Sequence, residues 1–246
     1  MQFLLTGDPE AVRRVEKGTR ILMEEIEGAD NEEPLCVTVY FHDDEELHVK
    51  KKKGEVSIEC REPAHYFRAL NWALHRMKDE TAEKTENVYF PKNGFMLDCS
   101  RNSVFQVDTV KKVIRRLAKL GMNMLMLYTE ETYEVPEEPY FGAYRGRYSQ
   151  EDIREMDAYA GLFGIELVPC IQTLAHLRNA LKWPMGEPLK DTADILMVGE
   201  EKVYKFIEEM LTSVRDSFST RKVHLGMDEA AELGLGRYLK KNGYRE

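Results

Sequence analysis

The order of apolar and polar residues predicts a small, mixed region at the start of the chain. Strand-like runs alternate with amphipathic helical patterns. The strands are predicted at 2–7, 35–42 and 56–60, and the helices at 8–26 and 65–77. This order predicts an α+β domain of βαββα type over residues 1–88. The polar stretch 78–87 is typical of a linker, and the basic run 50–53 of a hairpin turn or sheet edge.

From residue 94 onward, apolar strand-like runs alternate regularly with longer amphipathic patterns. Strands are predicted at 94–100, 122–130, 165–171 and 222–226, and helices at 107–121, 149–164, 200–218 and 230–241. Such alternation predicts parallel βαβ units, and its pace is that of a (β/α)8 TIM barrel of about 250 residues. The sequence therefore predicts an α/β fold, with the first half of a TIM barrel (four βα units) over residues 89–246.

Composition narrows the class of protein. The formal net charge of −9 argues against nucleic acid and anionic membranes as partners. The first residues carry only a short apolar run without a small-residue cleavage site, which predicts neither a signal peptide nor a membrane span. Four cysteines lie singly beside apolar runs and predict buried, reduced thiols. Together these features predict a cytoplasmic protein.

Polar side chains follow every predicted strand of the second region. They are Asp98, Arg101, Tyr128, Glu130, Glu131, Gln172, His176, His224, Asp228 and Glu229. Barrel enzymes carry their chemistry at this end of the strands, so the pattern predicts a functional cleft. Structural explanations also exist: Arg101 could cap the next segment, His176 could be a hydrogen-bonded core residue, and residues 130–131 could lie in a solvated acidic loop. His224 alternates with apolar neighbours and is expected to point into the barrel.

Four stretches carry a family resemblance. They are "FMLDCSRN" (95–102), "GRYSQEDIREMDAYAGLFGIELVPCI" (146–171), "PCIQTLAH" (169–176) and "KVHLGMDEA" (222–230). The last resembles the H-x-G-x-D-E signature of glycoside hydrolase family 20, the β-N-acetylhexosaminidases. The others are similar to that family's first strand, second helix with third strand, and P-E-I-D-x-P-G-H segment, in the same order. The leading region also resembles the α/β domain that precedes the barrel in this family.

The chain departs from the family pattern in two ways. Gln172 stands where the family has Asp, and Leu174 and Ala175 replace Pro-Gly before His176. This variant resembles the branch of intracellular-type exo-N-acetylglucosaminidases. The family barrel also continues for four more βα units, with aromatic walls of the sugar pocket, and these units are not among the 246 residues. The expectation is an N-terminal portion with little hydrolase activity alone.

The resemblance implies a mechanism for the adjacent acids Asp228 and Glu229. Two neighbours on one loop cannot flank a glycosidic bond from opposite faces, and family 20 uses the substrate's own acetamido group as nucleophile. Asp228 would orient that group, and Glu229 would act as general acid and base. His176, Glu130 and His224 would support the pair, while Arg101 would bind hydroxyls of a terminal sugar. The resemblance implies exo action on terminal β-linked N-acetylhexosamine, without metal or organic cofactor.

Two alternatives remain open from the residues alone. The rim acids Asp98, Glu130 and Asp228 are also suitable oxygen ligands for a divalent metal in a different barrel enzyme. The chain could instead be a non-catalytic carbohydrate-binding or structural half-barrel. Half a barrel leaves apolar strand edges, so a second copy of the chain or a C-terminal half is expected to cover them.

Overall fold

A computed structural model describes the chain at residues 1–26 and 34–244, which group into two compact units. The first unit contains Met1–Phe95, Asp108–Leu125 and Ala158–Glu166, and the second contains Met96–Val107, Met126–Asp157 and Leu167–Glu246. Every residue predicted to act in the site belongs to the second unit. The division into domains at residues 88 and 89 stays a prediction.

Strands and helices follow one another along the described chain. They are β1 (Phe3–Gly7), α1 (Pro9–Glu24), β2 (Leu35–Phe41), β3 (Glu46–Lys52), β4 (Glu55–Cys60), α2 (Pro63–Leu74), β5 (Thr81–Asn87), β6 (Gly94–Asp98), α3 (Val107–Leu120), β7 (Met124–Tyr128), α4 (Gln150–Gly161), β8 (Glu166–Cys170), α5 (Arg178–Leu181), a 3-10 turn (Pro184–Gly186), α6 (Glu201–Ser217) and α7 (Arg237–Asn242).

The first unit is built on a five-stranded sheet in the order β1-β2-β4-β3-β5. Strands β1, β2 and β4 run parallel, whereas β3 is antiparallel to both β4 and β5. Alternate residues of the central strands, such as Val37 and Ile58, are buried, as period-two side chains on a half-covered sheet should be. Helix α1 begins at Asp8, whose carboxylate accepts backbone hydrogen bonds from Glu10 and Ala11.

The βαββα prediction for this region was wrong, because two strands were not recognised. The basic run belongs mainly to β3, in which Val49 and Lys51 point into the core while Lys50 and Lys52 are exposed. The buried ammonium of Lys51 donates to the backbone carbonyl of Asp79. The polar stretch taken for a linker is the edge strand β5, and charged residues are the usual composition of an exposed sheet edge.

A second sheet of three strands has the order β6-β7-β8. Backbone hydrogen bonds join residue 93 to 123 and 123 to 166 where the strands begin. Further bonds join residue 99 to 128 and 129 to 170 where they end, so the three strands run in the same direction. Helices α3, α4 and α6 alternate with these strands along the chain. The predicted α/β alternation is therefore confirmed for three units.

The fourth predicted unit is much less regular. Within the described residues, the strand expected at 222–226 is a single parallel bridge between Cys170 and His224. The predicted helix at 230–241 is reduced to the six residues of α7. Gly236 explains the late start: a side chain there would place its Cβ 2.1 Å from the carbonyl oxygen of Asp191. The backbone of this glycine approaches the neighbouring loop too closely for a regular solvated helix.

All four cysteines are free thiols, as the sequence predicts. Cys60, Cys99 and Cys170 are buried, and Cys36 is partly exposed. In the described ranges 1–26 and 34–244, no helix combines the length and apolar character needed to cross a membrane.

Candidate active site

Arg101 lies in a tight turn immediately after β6. The carboxylate of Asp98, the last residue of that strand, accepts the backbone N–H groups of Ser100 and Arg101, both at 2.9 Å. This turn leaves the guanidinium of Arg101 free to bind elsewhere, and its side chain is 52% exposed. Arg101 therefore presents donors to solvent at the carboxyl end of the sheet. The possible side-chain pair between Arg101 and Asp98 is replaced by these backbone bonds.

Glu130 connects the ends of β6 and β7. Its carboxylate accepts hydrogen bonds from Arg101 Nε at 3.1 Å, from the Tyr128 hydroxyl at 3.0 Å and from the Ser100 hydroxyl at 3.2 Å. Glu130 is buried, so these charge-assisted bonds compensate for its loss of water. Burial also raises the pKa of the Tyr128 hydroxyl, which keeps this group protonated as a donor. Glu130 thus fixes Arg101 and Tyr128 against each other.

His176 lies between this cluster and the two adjacent acids. Its Nδ1 is 3.2 Å from a terminal nitrogen of Arg101. Its Nε2 is 3.7 Å from Asp228 Oδ2 and 3.4 Å from Glu229 Oε2. His176 and Glu229 both have left-handed backbone conformations, with φ of 56° and 54°. Side chains disfavour that region, and such strain is concentrated at functional sites. One imidazole therefore touches both acids and the candidate sugar-binding arginine.

The segment before the acids runs alongside the chain that follows β8. Ile171 donates its backbone N–H to the carbonyl of His224 at 2.9 Å, and the Thr173 hydroxyl donates to the carbonyl of Leu225 at 3.0 Å. Gly226 has a φ of 59°, and a Cβ there would lie 2.2 Å from the carbonyl oxygen of Ile171. Only glycine fits this approach, which explains the glycine of the H-x-G-x-D-E motif.

Asp228 and Glu229 themselves are open to solvent, with side chains 58% and 75% exposed. The pKa of Asp228 is lowered, first because its own backbone N–H bonds the carboxylate. A hydrogen bond from Gln172 Nε2 at 3.3 Å and the nearby His176 and His224 act in the same direction. The environment therefore favours Asp228 as a carboxylate.

The segment after the acids is held by the buried carboxylate of Asp191. Its two oxygens accept the backbone N–H groups of Tyr238 at 2.6 Å and Gly234 at 2.9 Å. The backbone carbonyl of Asp191 accepts the backbone N–H of Arg237. The guanidinium of Arg237 donates to the backbone carbonyl of Glu187. We call these contacts the Asp191 clamp. Together with the pairing at Gly226, the clamp restrains the acidic loop on both sides.

The fully buried carboxylate of Glu131 forms a separate ion pair with the partly exposed Arg145. The Glu131 carboxylate accepts a hydrogen bond of 2.6 Å from Arg145 Nε, and Arg145 also donates to the carbonyl of Ser100 at 2.8 Å. Burial raises the pKa of Glu131, although Arg145 opposes the shift. Arg145 therefore ties the long loop between β7 and α4 to the turn that carries Arg101.

The predicted site residues come together in the second unit. Arg101, Glu130 and His176 join Asp228 and Glu229 in one network, although the described contacts connect Glu130 to His176 through Arg101. His224 forms a backbone bridge with Cys170, its side chain is exposed, and it lies near enough to Asp228 to help lower the pKa of that carboxylate. The expectation that it points into the barrel stays a prediction. The catalytic and supporting roles of all six residues stay predictions.

Sequence reasoning assigned no role to several residues that the structure places in this network. Tyr128 and Gln172 were recognised as polar groups at strand ends, and that position was the available signal. Ser100, Arg145 and Asp191 gave no signal, because their importance depends on contacts with residues 30 to 47 positions away. Such contacts cannot be read from local spacing.

A metal site finds no support in this geometry. Within the described residues, no group of three or more His, Cys, Asp and Glu side chains is arranged to hold a metal ion. Asp98, a proposed ligand, is instead occupied by two backbone N–H groups.

Comparison with known proteins identifies the family. A model described as "Glycosyl hydrolase family 20, catalytic domain" matches residues 90–242. The chain belongs to glycoside hydrolase family 20, which confirms the resemblance carried by the four motifs. A beta-hexosaminidase of Vibrio furnissii is 28% identical over 181 residues, covering 58% of this chain and 29% of that protein. Beta-hexosaminidase 3 of Arabidopsis thaliana is 29% identical over 175 residues, covering 64% and 32%.

Solved structures share the fold at low sequence identity. The GH20 exo beta-N-acetylglucosaminidase of Vibrio harveyi, in complex with N-acetylglucosamine, has a TM-score of 0.77 at 19% identity. That match covers 100% of this chain and 47% of the other. The beta-N-acetylhexosaminidase of Bacteroides fragilis gives 0.72 at 21% identity and covers 100% and 61%. The chain spans about a third of the curated relatives it matches and about half of these structures.

Proposed function

We propose that the protein is an exo-acting β-N-acetylhexosaminidase that releases terminal β-linked N-acetylglucosamine or N-acetylgalactosamine from glycoconjugates, with retention of configuration. The proposal rests on family membership and on one observation. A single imidazole, His176, contacts both Asp228 and Glu229, at 3.7 Å and 3.4 Å. Both acids therefore approach a substrate from the same side. This arrangement suits a substrate that supplies its own nucleophile.

The first chemical step uses both acids. The carbonyl oxygen of the substrate's 2-acetamido group attacks C1, and the bond from C1 to the leaving oxygen breaks. Glu229 donates its proton to that oxygen, so the aglycone leaves as a neutral alcohol. Asp228 accepts the acetamido N–H and stabilises the positive charge of the resulting oxazolinium ion. The lowered pKa of Asp228 supports this role, because the group must stay ionised.

The second step reverses the proton transfer. Glu229, now a carboxylate, takes a proton from a water molecule whose oxygen attacks C1. The bond between C1 and the acetamido oxygen breaks, and the acetamido group is restored. Two inversions at C1 give net retention. His176 Nε2 lies 3.4 Å from Glu229 Oε2 and is suited to orient that side chain.

Arg101 is suited to bind the terminal sugar. Its guanidinium is fixed by Glu130 and Tyr128 yet remains half exposed, so unused donors face solvent beside the acids. A fixed guanidinium that binds hydroxyls of the last sugar would leave no room for another residue on that side. This argues for action on non-reducing ends.

Chemical rescue of Glu229→Ala tests the proposal, using aryl N-acetyl-β-D-glucosaminides and the protein with its barrel edges covered. Loss of the general acid should slow a nitrophenyl leaving group much more than a dinitrophenyl one, which needs little protonation. Azide should restore turnover and give the β-glycosyl azide, because azide replaces the water that Glu229 activates. Glu232→Ala is the matched control, since Glu232 is exposed in the same segment. Equal losses for both leaving groups, or an α-azide product, would contradict the mechanism.

We also propose that another polypeptide surface, either more of the barrel or a second copy of the chain, covers apolar residues near the acids. Val223, Leu225 and Met227 are 38–57% exposed where a fourth strand is expected. Light scattering during size-exclusion chromatography tests whether residues 1–246 associate, and a monodisperse monomer would contradict association. The cytoplasmic location stays a prediction.

A further inference from the structure

An aromatic cluster in the second unit stands out by its exposure. Tyr140 is 50% exposed and Tyr144 is 96% exposed. Both rings lie against Trp183, with centroid separations of 5.5 Å and 6.1 Å and interplanar angles of 31° and 41°. We call these three residues the aromatic platform. Its rings are tilted toward a common plane rather than packed edge to face.

Tyr144 is held in an unfavourable backbone conformation. Its φ of 61° is left-handed, a region that glycine or asparagine enters at lower cost than a tyrosine. The side chain gains almost no burial in return, since nearly all of its surface faces solvent. Its ring contact with Trp183 leaves the tyrosine almost wholly exposed, so packing gives little return for the strain. Strain of this kind at an exposed side chain points to a use in binding.

Two segments connect the aromatic platform with the candidate active site. One is the loop that carries Tyr144, and the other is the chain between His176 and Trp183. Arg145, the next residue after Tyr144, donates to the carbonyl of Ser100 and forms the ion pair with the buried Glu131. Ser100 in turn bonds Glu130 and precedes Arg101. Trp183 follows His176 by seven residues, with the one-turn helix α5 between them. Tyr144 therefore lies on a loop whose next residue is hydrogen-bonded to the turn that carries Arg101.

We propose that the aromatic platform binds a sugar of the aglycone, the part of the substrate that carries the terminal N-acetylhexosamine. This inference rests on the proposed function. A pyranose ring has an apolar face of C–H groups, which stacks on an exposed aromatic ring, and the hydroxyls at its edge remain in water. Tyr144 supplies the free ring, and Trp183 and Tyr140 hold it in place. The substrate class is accordingly an oligosaccharide rather than a small aglycone.

The experiment compares the binding of a monosaccharide with the binding of a disaccharide. Both are measured on a Glu229→Gln variant, which prevents turnover. N-acetylglucosamine and its β-linked disaccharide are titrated by calorimetry into the Glu229→Gln protein with its barrel edges covered. Tyr144→Ala should weaken binding of the disaccharide about tenfold, the effect of exposing roughly 50 Å² of apolar surface, and should leave the monosaccharide unchanged. Tyr144→Phe should retain the affinity.

Two further variants separate binding from folding. Tyr144→Gly should raise the melting temperature by relieving the left-handed strain, yet lose affinity for the disaccharide as Tyr144→Ala does. Tyr89→Ala, at an 80% exposed tyrosine of the first unit, is the matched control and should change neither affinity. Unchanged disaccharide binding in Tyr144→Ala, or equal losses for both sugars, would overturn the aglycone site. If the unsubstituted chain binds neither sugar, the proposed function fails and this inference fails with it.

Discussion

The side-chain amide of Gln172 donates a hydrogen bond of 3.3 Å to Oδ1 of Asp228. Gln172 is buried at the end of β8 and also donates to the Tyr128 hydroxyl at 3.3 Å. A neutral amide therefore takes the position where the family pattern has an acid. The amide stabilises the ionised form of Asp228, whereas a second carboxylate would repel it.

Gln172→Met should raise the pKa of Asp228, because the replacement has a similar volume but no donor. As pH falls, Asp228 would then lose its charge at a higher pH, and the acidic limb of the kcat/KM profile would move upward. The pH profile and carboxyl NMR titration measure the shift. Gln150→Met is the control, since Gln150 donates to Ser213 on another face of the second unit. An unchanged acidic limb would show that Gln172 does not tune Asp228.

Arg101→Ala should weaken binding of N-acetylglucosamine by roughly ten- to a hundredfold, the value of one hydrogen bond to a charged group. The fold should survive, because the Arg101 side chain is half exposed and its turn is made by backbone bonds to Asp98. Inhibition constants and thermal melts measure the two effects. Arg215→Ala, at an exposed arginine on α6, should change neither. An unaltered inhibition constant would assign Arg101 to structure.

Asp191→Ala should loosen the segment that follows the acids. Two backbone N–H groups lose a charged acceptor inside a buried clamp, which costs about 2–3 kcal/mol of folding free energy. Amide exchange at Gly234 and Tyr238 should become faster, and kcat should fall more than KM rises. Asp152→Ala removes a comparable cap from α4 and should leave both amides protected. Unchanged exchange at these amides would show that the clamp does not restrain the loop.

The first unit should lose stability in acid through Glu86. Its bidentate pair with Arg68 lowers the pKa of Glu86 from 4.5 to about 2. A lowered pKa in the folded state gives stability that is present above pH 4.5 and is lost as pH falls toward 2. Arg68 is 43% exposed, so solvent screening reduces the contribution to about 1 kcal/mol.

Urea denaturation between pH 2 and pH 6 checks this contribution. Glu86→Gln should be less stable than the unsubstituted chain at pH 6 and nearly equal to it near pH 2. Glu59→Gln, at an exposed acid on β4, is the control and should keep the original slope. Parallel stability curves for Glu86→Gln and the unsubstituted chain would rule out the linkage.

Local patterns in the sequence predicted the five long helices, α1, α2, α3, α4 and α6, and six of the eight strands in the described residues, β1, β2, β4, β6, β7 and β8. These patterns failed where a residue lies in an environment that is unusual for its type, as a lysine does in the core. Lys51 is buried in β3 because its ammonium reaches a distant carbonyl, and a run of four basic residues hides that alternation. The motif around Asp228 and Glu229 predicted the candidate site. The Asp191 clamp and the Glu131 ion pair join residues far apart in sequence, so neither could be predicted from spacing.

The central claim is that Asp228 and Glu229 act on a substrate that provides its own acetamido nucleophile. We compare kcat/KM of the protein with its barrel edges covered, for 4-nitrophenyl N-acetyl-β-D-glucosaminide and for 4-nitrophenyl β-D-glucoside, which lacks the acetamido group. We expect turnover of the glucosaminide, with retention, and a rate for the glucoside at least about a thousandfold lower, a difference of about 4 kcal/mol in transition-state stabilisation. Comparable values for the two substrates would contradict it.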